Sequence, residues 1–89
     1  FEYVFKNLKY PVIARENGIE GTAVVQFVVD RDGTVKDVGV LKDIGGGCGE
    51  EAARVVKGMN DDKIKWTPGL QRGRPVKVQF RLPVRFKLQ

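Results

Sequence analysis

Residues 75–88 alternate without a break. Apolar side chains stand at Val76, Val78, Phe80, Leu82, Val84, Phe86 and Leu88, with polar, cationic or proline residues between them. Successive side chains of a strand point to opposite sides, so a period of two predicts a half-buried β-strand whose even positions face a core. Pro83 says which kind of strand. Proline has no N–H to give a ladder and is tolerated where that backbone faces an open edge or a bulge. The segment is therefore predicted to be an edge strand. In a regular strand, Lys77, Gln79, Arg81 and Arg85 share the parity of Pro83 and would direct their N–H and C=O groups outward. Such an edge is a template on which another chain can add a strand.

The rest of the chain supplies a support for that edge. Val4, Phe5 and Leu8 lie at helical spacing within residues 1–9, Tyr10 and Pro11 interrupt, and a second helical turn is predicted over residues 11–17. Residues 22–30 are rich in β-branched side chains, with Ala23, Val25, Phe27 and Val29 on one face and Val24 and Val28 on the other, which suits a central strand. Asp30, Asp32 and Gly33 supply turn chemistry, and residues 35–41 return as the second arm of a hairpin. After a glycine-rich loop, Ala52, Val55, Val56 and Met59 repeat at i, i+3, i+4, i+7 and predict an amphipathic helix over residues 50–59. Glu50 and Glu51 in its first turn complement the helix dipole. Trp66, Thr67, Pro68 and Gly69 read as a turn before the last strand. The predicted order is α-β-β-α-β in one domain spanning residues 1–89.

Composition narrows what such a domain can do. A chain of 89 residues has a core but little room for a deep internal active site. It has no histidine, the usual general base and commonest metal ligand, and Cys48 is its one cysteine, so no intrachain disulfide or cysteine cluster can form. Nothing pairs a nucleophile with a base, so no enzyme activity is expected, and neither a cofactor nor a metal is called for. No apolar run approaches the length of a membrane helix, nothing at the start resembles a signal peptide, and the abrupt beginning at Phe1 reads as a piece of something longer.

Three local patterns invite sharper claims and fail on their own chemistry. The glycine run at Gly45, Gly46 and Gly47 precedes a helix, but a phosphate loop needs Lys and Ser or Thr after its last glycine, where this chain has Glu50 and Glu51. Asp30 and Asp32 beside Gly33 suggest a calcium loop, yet the glycine comes too early and the twelfth position is Leu41 in place of a bidentate Glu. Cys48 falls on the apolar face of the helix and reads as a small buried thiol.

The net charge of +5 is a bias within a mixed surface. The cations of the last strand form a solvated face on the plainest reading. Nucleic-acid binding would require exposed aromatics interleaved with those cations, and Phe80 and Phe86 fall on the opposite, core-facing side. A nucleic-acid partner is therefore not expected. Peptide addition to the edge uses both Pro83 and the cations.

An ordered set of residues carries a resemblance. Tyr10-Pro11, Ala14, Gly18-Ile19-Glu20-Gly21, the Val-Val-Gln-Phe-Val-Val run from Val24, Asp32-Gly33, Glu51-Ala52, Trp66, Pro68-Gly69 and Pro75-Val76 together resemble the C-terminal domain of TonB energy-transducer proteins, from about Asn7 onward. The closing Leu82-Pro83-Val84-Arg85-Phe86-Lys87-Leu88 is similar to the form common in Bacteroidetes-type members. The connection over residues 60–65 looks longer than usual before the tryptophan.

The resemblance implies an α+β fold: a three-stranded antiparallel sheet with two helices packed on one face. It implies a periplasmic domain of a protein anchored in the inner membrane, with the anchor and linker outside this stretch. Such domains capture the TonB box of outer-membrane transporters as an added strand and pass on proton-motive energy from an inner-membrane complex. Carried over by position, Val78, Gln79, Phe80, Arg81, Leu82, Val84 and Arg85 would receive the peptide, with Asn7, Leu8, Lys9 and Tyr10 bordering it. The same domain type also serves as a docking or sensory module of other envelope proteins, a membrane peptidase or a TolA-like scaffold. Pairing of two copies through their exposed edges is a further expectation.

Overall fold

The computed structural model describes residues 2–88. At its centre is β1, Gly21–Val29, whose Ala23, Val25, Phe27 and Val29 are buried while the alternate residues are half-buried. Strand β2, Val35–Lys42, returns antiparallel on one side of it, and β5, Val78–Phe86, runs antiparallel on the other. The sheet order is β2-β1-β5, so the strand with apolar residues on both faces is the central one.

Helices cover one face of this sheet. The long one, α3, spans Cys48–Asp61 and buries Cys48, Ala52, Val56 and Met59 in the same cluster as the odd residues of β1 and Leu82, Val84 and Phe86 of β5. Each large side chain buried there, Phe27 or Met59 for example, contributes about 1.5–3 kcal/mol. Two short helices precede the sheet: α1, Glu2–Asn7, and α2, Val12–Glu16, separated by the Tyr10-Pro11 break. Val4 and Leu8 pack against the core cluster, and Ala14 of α2 is fully buried in it. The burial of Cys48 raises its thiol pKa, in keeping with an inert packing residue.

Both loops that could pass for ligand sites are occupied by the chain's own groups. In the turn between β1 and β2, the Asp30 N–H donates to the Thr34 carbonyl (2.8 Å), and Asp32 Oδ1 accepts the Thr34 N–H (3.0 Å) and hydroxyl (2.6 Å). Gly33 has φ +84°, and a Cβ there would lie 2.5 Å from the Trp66 carbonyl oxygen. At the glycine run, Gly47 gives α3 no side-chain cap. Asp43 substitutes: its Oδ1 accepts the N–H groups of Gly45 (2.9 Å) and Gly49 (3.1 Å), which lowers its carboxyl pKa. A Cβ on Gly49 would stand 2.6 Å from that carboxyl carbon. The glycines allow close approach to a carboxylate of the protein itself.

Three expectations are corrected. The strand expected over residues 75–88 is broken at Lys77: Arg74–Val76 forms β4, which pairs with β3, Gly69–Gln71, in a separate hairpin. Residues 66–68, expected as a turn, form none, and Gly69 begins the hairpin instead. Leu88 lies beyond the end of β5, half-buried, with its N–H donated to Glu20 Oε2 at 3.0 Å. The helices α1, α2 and α3 fall where the apolar spacing, the Tyr10-Pro11 break and the later amphipathic repeat place them. Phe1, counted in the first predicted helix, lies outside the described residues.

Candidate functional site

The exposed margin of β5 is built from one regular run of pairing. Nine consecutive residues face β1 without a register shift, from Val78 opposite Val29 to Phe86 opposite Gly21. Pro83 stands opposite Val24 within that run. An antiparallel ladder alternates pairs that exchange two hydrogen bonds with pairs that exchange none. Lacking an N–H, Pro83 fits a pair that exchanges none, and parity then assigns Gln79, Arg81 and Arg85 to the same kind. Their N–H and C=O groups point away from β1, toward an edge that no other strand of the sheet covers.

The side chains along this edge divide by face. Leu82, Val84 and Phe86 are buried under the helices, while Gln79, Arg81 and Arg85 are exposed on the helix-free face. Arg81 Nε donates to Gln26 Oε1 on β1 at 3.3 Å, and Arg85 stands opposite Thr22. The neighbouring β1 residues on this face are Thr22, Val24, Gln26 and Val28, all uncharged. Lys36 on β2 is already engaged, 2.6 Å from Asp30, an ion pair that raises the lysine pKa and lowers that of the aspartate. No such partner neutralises Arg81 or Arg85 among the described residues, so the face beside the open edge is cationic.

Phe80 differs from its even-numbered neighbours. It is 37% exposed, stacks on Phe27 (ring centroids 6.1 Å apart) and meets Trp66 at a tilt (5.4 Å), while Trp66 lies 5.3 Å from Phe27. The Trp66 indole N–H points to Met59 Sδ at 3.2 Å, and its backbone N–H donates to Gly33 O at 2.9 Å. This aromatic cluster continues the core to the start of β5.

Of the four residues expected to border the edge from the N-terminal side, Leu8 lines a cavity against β5 and Tyr10 packs on the end of that strand. Leu8 lines a cavity of about 150 Å³ with Val4 and Phe5 of α1 and Leu82, Pro83, Val84 and Arg85 of β5. Asn7, Lys9 and Tyr10 each hold contacts within the domain. The Asn7 amide donates to Tyr3 O (2.8 Å), and Asn7 O accepts from Arg54 Nη2 (2.9 Å). The Lys9 N–H donates to Glu51 Oε2 (2.7 Å), and Glu51 Oε1 holds Arg54 Nε (2.7 Å), a pairing that lowers the glutamate pKa. The Tyr10 hydroxyl donates to Ile19 O while its ring meets Phe86 edge-on at 5.6 Å. These three residues fix α1 to α3 and to the end of β5. Val4 and Phe5 are the wall residues that sequence reasoning missed. Their signal was an apolar side chain, Phe5, in a short helix with little to cover it.

The α+β domain thus presents one regular strand edge whose ladder groups no neighbouring strand of the sheet takes up. Its relatives say which lineage it comes from. Residues 6–88 match the family model described as Gram-negative bacterial TonB protein C-terminal, and the chain belongs to that family. It is 32% identical over 82 residues to the protein TonB of Vibrio cholerae serotype O1, covering 91% of this chain and 32% of that protein, about a third of its length. Two solution structures of the Helicobacter pylori TonB C-terminal domain share the fold. One has a TM-score of 0.72 at 23% identity, covering 97% of this chain and 86% of that one, and the other 0.71 at 21%, covering 99% and 76%. No helix among the described residues is long and apolar enough to cross a membrane.

Proposed function

We propose that this is a periplasmic, non-enzymatic binding domain that captures the TonB box of outer-membrane transporters. The box is added as a strand along β5, and inner-membrane proton-motive energy is transmitted through the joint. The observation that supports this reading best is Pro83 within an unbroken register, because it leaves ladder groups of Gln79, Arg81 and Arg85 directed outward. Membership of the TonB C-terminal family favours a transporter as the source of the added strand. Backbone hydrogen bonds would supply the directional part of binding. At about 0.5–1.5 kcal/mol net for each bond, a peptide of five or six residues reaches roughly micromolar affinity after ordering costs.

Titration of the ¹⁵N-labelled domain with TonB-box peptides from transporters of the same organism tests this. Saturable shifts centred on Val78–Phe86 are expected. No shifts at millimolar peptide would defeat transporter capture by this domain and redirect attention to a docking module of another envelope protein.

A further inference from the structure

The cavity between α1 and β5 bears on which peptides the edge would accept, an inference that rests on strand addition as proposed above. Residues directly opposite each other on neighbouring strands send their side chains to the same face of the sheet. A strand laid along β5 would therefore place one set of side chains on the helix side, opposite Leu82 and Val84, and the other set on the open side, opposite Arg81, Pro83 and Arg85. The two sets would meet different chemistry. On the helix side stand Val4, Phe5 and Leu8, around a cavity of about 150 Å³. Phe5 is 82% exposed, a large apolar side chain left bare at the mouth of that cavity. A space of about this size, walled mainly by apolar side chains with Arg85 at its margin, has room for one benzene-sized group. On the open side stand Arg81 and Arg85 without an acidic partner among the described residues.

We infer that α1 and β5 together form a two-sided selector. One bulky apolar side chain of the captured peptide is seated against Val4, Phe5 and Leu8, and carboxylates at the alternate positions are drawn to Arg81 and Arg85. The preferred ligand is an extended segment in which apolar and acidic residues alternate. Peptides with the same composition in scrambled order cannot satisfy both faces, since a shift by one residue exchanges them. Phe5 is a specificity-determining residue, and its exposure means that its replacement leaves the core intact.

The test is a cycle of two peptides and two proteins, followed by ¹⁵N spectra and calorimetry. An eight-residue peptide of alternating Val or Leu and Glu is compared with one whose central apolar residue is Ser, each on the unaltered domain and on Phe5→Ser. Burying one aliphatic side chain predicts a loss of about tenfold or more for the Ser peptide on the unaltered domain. On Phe5→Ser the difference between the peptides should shrink to about threefold or less. A second variant, Arg81→Gln, read with a third peptide that carries Gln in place of Glu, should lose the preference for Glu over Gln while keeping the apolar preference. If all peptides shift Val78–Phe86 with equal affinity and leave α1 unmoved, the selector is wrong and edge capture stands. If no peptide shifts β5, edge capture fails and takes the selector with it.

Discussion

β5 keeps nine consecutive partners on β1, whereas β2, on the other side of the same strand, slips register twice, between Val24 and Val25 and again between Gln26 and Val28. Asp37 in β2 has φ +51°, a left-handed conformation that breaks the regular presentation of N–H and C=O groups. Bulges of this kind twist an edge and disrupt the template it would offer. Lys36 and Lys42 add charge on the same strand. The two outer strands thus treat the same hazard differently. One is irregular and resists pairing; the other is straight, with a proline that removes a single donor and leaves the alternation intact. A sheet with one receptive edge binds one strand and limits end-to-end growth. The supports differ as well: β2 is tied to α3 by a neutral amide, and the region beside β5 by an ionised carboxylate.

The parity of β5 can be broken first, with the largest expected effect. Leu82 is assigned an N–H directed at β1, so Leu82→Pro removes a ladder bond and distorts the strand. It should cost about 3 kcal/mol or more beyond the loss measured for Leu82→Ala, which keeps the N–H. Arg81→Pro removes an outward N–H and should cost about 1 kcal/mol or less, because no ladder bond to β1 is lost. Urea unfolding followed through Trp66 measures both. Equal destabilisation by the two prolines would mean that the outward groups are misassigned. If the parity holds, Arg81→Pro should also weaken peptide binding although the domain remains folded.

How far this contrast was legible in the sequence depends on the kind of signal. The edge character of β5 could be read because alternation and one proline are local properties that survive into the fold. The pairing of Arg74–Val76 with Gly69–Gln71 could not, since the apolar period runs on through Val76 and Val78 while the chain turns away between them. The register slips of β2 were equally hidden: Asp37 and Gly39 do not announce a bulge without knowledge of what they oppose. At the edge itself, parity selected Lys77, Gln79, Arg81 and Arg85, and Lys77 falls in the break before β5. The wall supplied by Val4 and Phe5 depends on where a short helix docks, which no spacing within it specifies. Asn7, Lys9 and Tyr10 came from resemblance alone, and their side chains or backbones are bonded to Tyr3, Glu51 and Ile19.

On the β2 side the effect should be intermediate. Asn60 exchanges two hydrogen bonds with the first residue of β2: Oδ1 accepts the Val35 N–H (2.9 Å), and Nδ2 donates to Val35 O (2.6 Å). Asn60→Ala leaves both backbone groups without that partner and should cost about 1–3 kcal/mol. The loss should be concentrated at the β2 end of the sheet. Hydrogen exchange is expected to accelerate over Val35 and its neighbours while the β1–β5 ladder keeps its protection. Uniform loss across the sheet would show that the two edges are one cooperative unit.

The smallest effect concerns the ionic joint beside β5. Glu51 binds Arg54 through its side chain and the Lys9 N–H through its second oxygen, and Arg54 reaches on to Asn7 O, so one carboxylate fixes the chain just after α1. The Arg54 hydrogen bond is the largest cause of its lowered pKa, with the Lys9 N–H adding to it. A carboxyl whose pKa is lower in the folded state contributes stability above its ordinary value, here 4.5, and that contribution fades as the pH falls below it. Glu51→Gln should therefore lower stability near neutral pH and flatten the acid limb, with Asp30, Asp32 and Asp43, also lowered, supplying the slope that remains. The Lys9 amide resonance should titrate with Glu51 in the unaltered domain and lose that titration in Glu51→Gln. An unchanged acid limb in Glu51→Gln would mean that α1 is held by its apolar contacts, Val4 and Leu8 against the core, and that the ionised joint adds position without stability.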